Sequence, residues 1–202
     1  RVMNAPDHNI LLITFGIMMV IENTALVLFS PDFRSISIPW LDETIKLGSY
    51  VISKPKLFAF FISMSVALLL YWFLQKTFLG KAIRGTAMNK TGAALVGIKA
   101  QRINYITFGL GAAIAAVAGS LMTPIISISP SIGHTFILKT FVVVVLGGLG
   151  NVLGAFVGGL IIGVSEALAG AAFSGTLNEL VIYVIFILIL IFRPKGIFGG
   201  GS

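Results

Sequence analysis

Residues 136–169 read FILKTFVVVVLGGLGNVLGAFVGGLIIGVSEALA, and the fold turns on how this stretch is divided. About 11 apolar residues precede Gly147-Gly148-Leu149-Gly150-Asn151 and about 19 follow it. A soluble strand or core helix has no use for so long an apolar run. A bilayer does, since roughly 20 apolar residues cross its hydrocarbon core. The glycines divide the run into two short helices, the layout of a broken membrane helix. Backbone unwound at membrane depth needs partners from protein or a water-filled cavity. Such breaks point toward a transport pathway, and Gly147, Gly148, Gly150 and Asn151 are the first candidates for lining one.

The rest of the chain agrees with a bilayer setting. Of its 202 residues 57% are hydrophobic and 10% charged, and the mean hydropathy is +1.03; a soluble domain is about 45–50% apolar. Cysteine is absent, which excludes a disulfide framework, a thiolate metal site and a thiol nucleophile. His8 and His134 stand apart without ligand spacing, so neither a metal site nor a cofactor is expected. Further windows of spanning character fall at about Asn9–Phe29, Leu57–Leu74, Tyr105–Met122 and Leu177–Phe192. The expected fold class is all-α, a polytopic transmembrane helical bundle with a broken or re-entrant helix pair over 136–170, forming a single transmembrane domain over 1–202.

Charge sets the orientation. The net charge of +7 is not a nucleic-acid footprint, because no reading motif accompanies it. Lys76, Lys81, Arg84, Lys90, Lys99 and Arg102 gather in the loop 75–104 with no Asp or Glu among them, and an excess of Lys and Arg in a short loop marks the cytoplasmic side. The loop from Ser30 to Lys56 is then external; it balances Asp32, Asp42 and Glu43 against Arg34, Lys46, Lys54 and Lys56. Tyr71, Trp72 and Tyr105 fall at the inner boundary, where amphipathic rings are favoured. With Arg193 and Lys195 also inside, the segment from Phe136 to Ala169 crosses an even number of times, as two spans or as a re-entrant hairpin.

Small residues spaced four apart let helices approach closely. Gly111, Ala115 and Gly119 form one such ladder, Gly154 with Gly158 another, and Gly159 with Gly163 a third. Each serves packing within one subunit or an interface between subunits. Glu22 and Asn23 lie inside the first span, where a carboxylate is costly and either marks a functional site or bonds to a neighbouring helix. They join the path candidates, and Glu166 faces the same choice. Within the basic loop Asn89 suits a helix N-cap and Gly97 a helix end. The short helix between them carries Ala93, Ala94, Leu95 and Val96, which fits docking into a groove on another protein or lying along lipid headgroups. No G-x-x-x-x-G-K-[ST] run occurs, so any ATP chemistry comes from a partner. No Ser-His, paired-Asp or H-E-x-x-H arrangement lies in the spans, and an intramembrane enzyme is excluded.

Three stretches agree in order and spacing: Arg84-Gly85-Thr86-Ala87-Met88-Asn89 leading to Ala93-Ala94-Leu95-Val96-Gly97-Ile98; Leu138-Lys139-Thr140-Phe141 running to Gly147-Gly148-Leu149-Gly150-Asn151; and Arg193-Pro194-Lys195-Gly196-Ile197-Phe198-Gly199. Together they closely resemble the permease subunit of branched-chain amino acid ABC importers, of the LivH type, with roughly the first third of such a permease expected to be missing. The resemblance implies a multi-pass subunit of the bacterial inner membrane, not itself an enzyme. It would pair with a second homologous permease, cytoplasmic ATPase subunits and an extracytoplasmic substrate-binding protein that delivers leucine, isoleucine or valine. It also implies that Arg84, Asn89, Ala93, Ala94 and Gly97 couple to the ATPase, which favours the docking reading of the short helix. Thr91 and Gly92 depart from the acidic residue and alanine usual there. The alternatives are a urea or short-chain amide ABC permease, from which Lys139 argues away, and an ion-coupled secondary transporter, which would need no ATPase.

Overall fold

A computed structural model describes residues 7–36, 38–40, 44–47, 50–148, 150–172, 177–193 and 196–197. The chain forms two compact units, residues 1–132 and 133–202. Leu149 of the glycine run, Asp42 and Glu43 of the 30–56 loop, and Pro194, Lys195, Phe198 and Gly199 of the last motif lie outside the described residues.

The first unit runs α1 (Asp7–Phe29), β1 (Thr44–Leu47), β2 (Tyr50–Ser53), α2 (Lys54–Lys76), α3 (Phe78–Met88), α4 (Lys90–Leu95) and α5 (Ala100–Met122). Helices α1, α2 and α5 have 23 residues each; at 1.5 Å per residue that is about 34 Å, enough to cross hydrocarbon. Their apolar side chains point outward on most sides, with Leu12, Phe15, Val27, Phe61, Leu69 and Phe108 exposed. Helices apolar all round belong in lipid rather than at a water-facing surface. They also outrun the apolar windows seen in sequence. Backbone hydrogen bonding carries α2 out through Lys54, Lys56 and Lys76 and α5 back to Ala100, where polar side chains reach water.

Two ends of this unit are distinct. At one end Arg34 and Ile128 exchange backbone hydrogen bonds of 2.9 and 2.8 Å, tying the segment after α1 to the segment after α5. The start of α2 lies there too, since Pro55 and Phe58 share a cavity with Thr123 and Pro124. At the other end α2 turns at Thr77 into α3 and α4. The Thr77 hydroxyl donates to Phe73 O and accepts from Gly80 N, closing α2 and opening α3 with one side chain. The strands pair antiparallel from Thr44 opposite Ser53 to Leu47 opposite Tyr50. This hairpin is a small addition to an otherwise helical chain; its sequence signal is Gly48-Ser49 between two runs rich in β-branched residues.

The second unit holds α6 (Gly133–Gly147), α7 (Val152–Ala172) and α8 (Leu177–Phe192). Val142, Leu146, Ile162 and Ile182 form its buried core, flanked by Val143, Ile161, Ile185, Phe186, Ile189 and Ile197. Phe141 meets Phe186 edge to face at 6.2 Å. Among the described residues four helices, α1, α2, α5 and α7, are long and apolar enough to cross a membrane. The all-α bundle expected from sequence is the observed class.

Candidate functional site

The basic loop folds as an elbow of two helices. Asn89 ends α3 and caps α4, its Oδ1 accepting from Gly92 N at 2.8 Å. Such a cap contributes about 1 kcal/mol by satisfying an otherwise unpaired N–H. Gly97 ends α4 at φ +82, with Ile98 N bonded to Ala93 O and Gly97 N to Ala94 O, both at 3.0 Å. That paired closure needs a left-handed residue, which glycine supplies without strain. The cap and the terminator anticipated in sequence are both present. Helix α3 was not anticipated. Its signals are Thr77 at the N-cap and the inward pair Ala82 and Thr86, one turn apart and both buried.

The elbow presents two kinds of surface. Ala93 is buried and anchors α4 to the unit, whereas Ala94 faces outward beside Leu95 and Val96, which are 85% and 75% exposed. Met88 at the end of α3 is exposed as well, and so are the cations Lys81, Arg84 and Lys90. The elbow thus carries an apolar tip ringed by positive charge on a capped turn. Trp72 and Tyr105, near this end of α2 and α5, are exposed as an interfacial aromatic pair would be.

At the opposite end of the first unit a cavity of about 370 Å³ is lined by Ile36, Ile38, Trp40, Pro55, Phe58, Ser120, Leu121, Thr123 and Pro124. Trp40 packs edge to face on Phe58 at 6.1 Å. Glu22 and Asn23 lie on α1: Glu22 is half-buried, and Asn23 donates to Met19 O at 2.8 Å within its own helix.

The glycine run belongs to the second unit. Among its described residues Gly148 N bonds to Val145 O and Asn151 N to Gly148 O, between the end of α6 and the start of α7. At Gly147 a Cβ would stand 2.3 Å from Gly154 C and 2.4 Å from Ala155 N, so α6 and α7 meet backbone to backbone. Gly158 continues the seam, a Cβ there meeting Val143 O at 2.9 Å. Of the three small-residue ladders, Gly154 with Gly158 therefore serves packing inside the unit. Gly111, Gly119 and Gly163 have nothing within 4 Å of a Cβ position. Asn151 caps α7 through Oδ1 to Gly154 N at 3.0 Å, and Gly150 holds φ +86.

The polar groups of the break find partners partly in the chain's last described residues. Ile197 N donates to Leu146 O at 2.8 Å, and buried Gly196 sits on the turn at φ +80, where a Cβ would stand 2.6 Å from Gly148 N and Val145 O. Gly147 and Gly148 are buried in consequence. Gly196 and Ile197 of the last stretch thus pack on Val145, Leu146 and Gly148 at the end of α6. This contact also fixes the ends of α6 and α8 on the same side of the unit. Across the α6–α7 seam Lys139 Nζ meets Glu166 Oε1 at 2.5 Å, so Glu166 has a bonded partner on the neighbouring helix.

Comparison with known proteins completes the picture. Residues 4–190 match the family model described as branched-chain amino acid transport system / permease component. The chain belongs to this permease family. It is 34% identical over 197 residues to the high-affinity branched-chain amino acid transport system permease protein BraD of Pseudomonas aeruginosa, covering 94% of this chain and 63% of that protein. The corresponding LivH protein of Salmonella typhimurium is 33% identical over 196 residues, again 94% of this chain and 63% of the relative. A probable LivH permease of Methanocaldococcus jannaschii is 35% identical over 150 residues, 69% of this chain and 48% of the relative. The chain therefore spans less than two thirds of the length of these relatives. No solved structure matches it. With four helices of spanning length among the described residues and relatives that are transport permeases, this chain is a multi-pass membrane protein.

Proposed function

We propose that this chain is part of the membrane-spanning subunit of an ATP-driven importer of branched-chain amino acids, seated in the bacterial inner membrane. Its partners in this reading are a second homologous permease, cytoplasmic ATPase subunits and an extracytoplasmic substrate-binding protein; it carries no ATPase site of its own. Family membership across residues 4–190 is the observation that carries the reading. The elbow supports it. No Asp or Glu occurs between Glu43 and Glu166, so the cations of α3 and α4 lack counter-charge in that whole interval. The charge rule then puts the elbow inside the cell and the 30–56 end outside.

The mechanism proposed is mechanical. Closure of the ATPases pushes on the apolar tip Ala94-Leu95-Val96. The cap at Asn89 and the terminator at Gly97 keep α4 from fraying under that push, and buried Ala93 hands the displacement to the first unit. Helices α2 and α5, which flank the elbow, tilt in response and open the path alternately to each side. Glu22 and Asn23 line that path in this proposal, while Gly147, Gly148, Gly150 and Asn151 shape it by holding α6 and α7 in close register.

Affinity purification from a membrane expressing the whole operon tests the reading. The expected result is co-purification of an ATPase whose hydrolysis rises when leucine-loaded binding protein is added. Uptake driven by an ion gradient with no ATPase retained would establish a secondary transporter. Stimulation by urea or a short amide instead of leucine would move the substrate to that branch.

A further inference from the structure

We propose that Lys139 and Glu166 form a seat for the charged head of a free α-amino acid, Glu166 taking the ammonium and Lys139 the carboxylate. The inference rests on the amino-acid reading above and adds a binding site to it. The two side chains stand 2.5 Å apart across the seam of α6 and α7. Eight positions separate Lys139 from Gly147, which places the pair roughly 12 Å up the hairpin from its turn. That is deep within a span, where ionisable groups are rare, face a cavity or one another, and mark substrate or ion routes.

Packing does not require these charges. The seam is already closed by Gly147 against Gly154, by Gly158 against Val143, and by the buried side chains of Val142, Leu146 and Ile162. An apolar pair at 139 and 166 would hold the hairpin with no desolvation penalty, since a buried ion pair is often no better than well-packed hydrophobic residues. Nor is the pair sealed. Within this unit the side chains remain 22% and 35% exposed.

Zwitterion chemistry accounts for both facts. In the empty state the two groups neutralise each other, so no lone charge faces lipid. When an α-amino acid enters, one internal ion pair is exchanged for two pairs to the substrate and net charge is unchanged. A neutral amide offers neither charge, and a simple ion offers only one. The seat therefore selects a class of substrate by its paired charges.

The test uses the complete complex of both permeases, ATPases and binding protein in proteoliposomes, with uptake of radiolabelled leucine as readout. Two variants are compared with wild type: the neutral pair Lys139→Met with Glu166→Gln, and the exchanged pair Lys139→Glu with Glu166→Lys. The exchanged pair keeps the ion pair but presents its two seats in reverse order to a chiral substrate. Both are expected to assemble and to keep stimulated ATP hydrolysis within about twofold, while leucine uptake falls about tenfold or more. Uptake equal to wild type in either variant would overturn the proposal. Loss of assembly in both would also overturn it, by showing the pair to be a scaffold. Failure of the wild-type complex to move leucine would instead remove the amino-acid reading on which the seat depends.

Discussion

Gly147→Ala is expected to cost the protein its stable fold in detergent. The added carbon would sit 2.3 Å from Gly154 C and 2.4 Å from Gly154 O and Ala155 N. A flexible side chain could rotate out of the way of such an intrusion; helix backbone cannot. Relief requires α6 and α7 to part at their turn, which would also break the fit of Gly196 on Gly148 and the bond from Ile197 N to Leu146 O. Overpacking typically costs about 1–3 kcal/mol and occasionally more; with only backbone to collide with, the upper end of that range or beyond is expected. Gly163→Ala is the control, because nothing lies within 4 Å of a Cβ there. Thermal unfolding followed by size-exclusion chromatography separates them: a much lower midpoint for Gly147→Ala and an unchanged one for Gly163→Ala. Equal midpoints would mean that the seam is not closed as described.

Ala94→Glu is expected to uncouple ATP hydrolysis from uptake while leaving insertion and thermal stability untouched. Ala94 faces outward beside Leu95 and Val96 on the tip of α4. A carboxylate at the centre of an apolar contact pays a desolvation penalty of several kcal/mol when the contact forms, so transport should fall about tenfold or more. Ala93→Glu provides the contrast. Ala93 is buried at 6% exposure, so a charge there disturbs the elbow itself and lowers stability together with transport. Coupled uptake in Ala94→Glu at the wild-type rate would remove the tip from the mechanism.

Much of this architecture is legible in the residues, and the parts that are not have physical reasons. The spanning helices declare themselves because lipid demands long apolar runs, and composition alone carries that signal. Asn89 and Gly97 were readable because capping is local, depending on a side-chain oxygen and a left-handed backbone within a few positions. Helix α3 escaped notice because Gly80 and Gly85 weaken its apparent helix propensity, while its inward face rests on small residues, Ala82 and Thr86, rather than on large apolar ones. The glycine run was visible as a break, but its closure was not. Gly147 meets Gly154 only once the chain has folded back on itself, and Gly148 is covered by Gly196 from 48 positions further along. The same holds for Lys139 and Glu166, separated by 27 positions. Contacts of that range have no signature in local spacing.

The most direct test is the side of the membrane on which the elbow lies. The sequence has no cysteine, so Lys90→Cys introduces a single thiol at the exposed start of α4, and Asp32→Cys marks the opposite end of the first unit. A membrane-impermeant maleimide applied to intact spheroplasts should label Asp32→Cys at once and Lys90→Cys only after the membrane is permeabilised. Labelling of Lys90→Cys in intact spheroplasts would place the basic elbow outside, beyond the reach of any ATPase, and contradict the account.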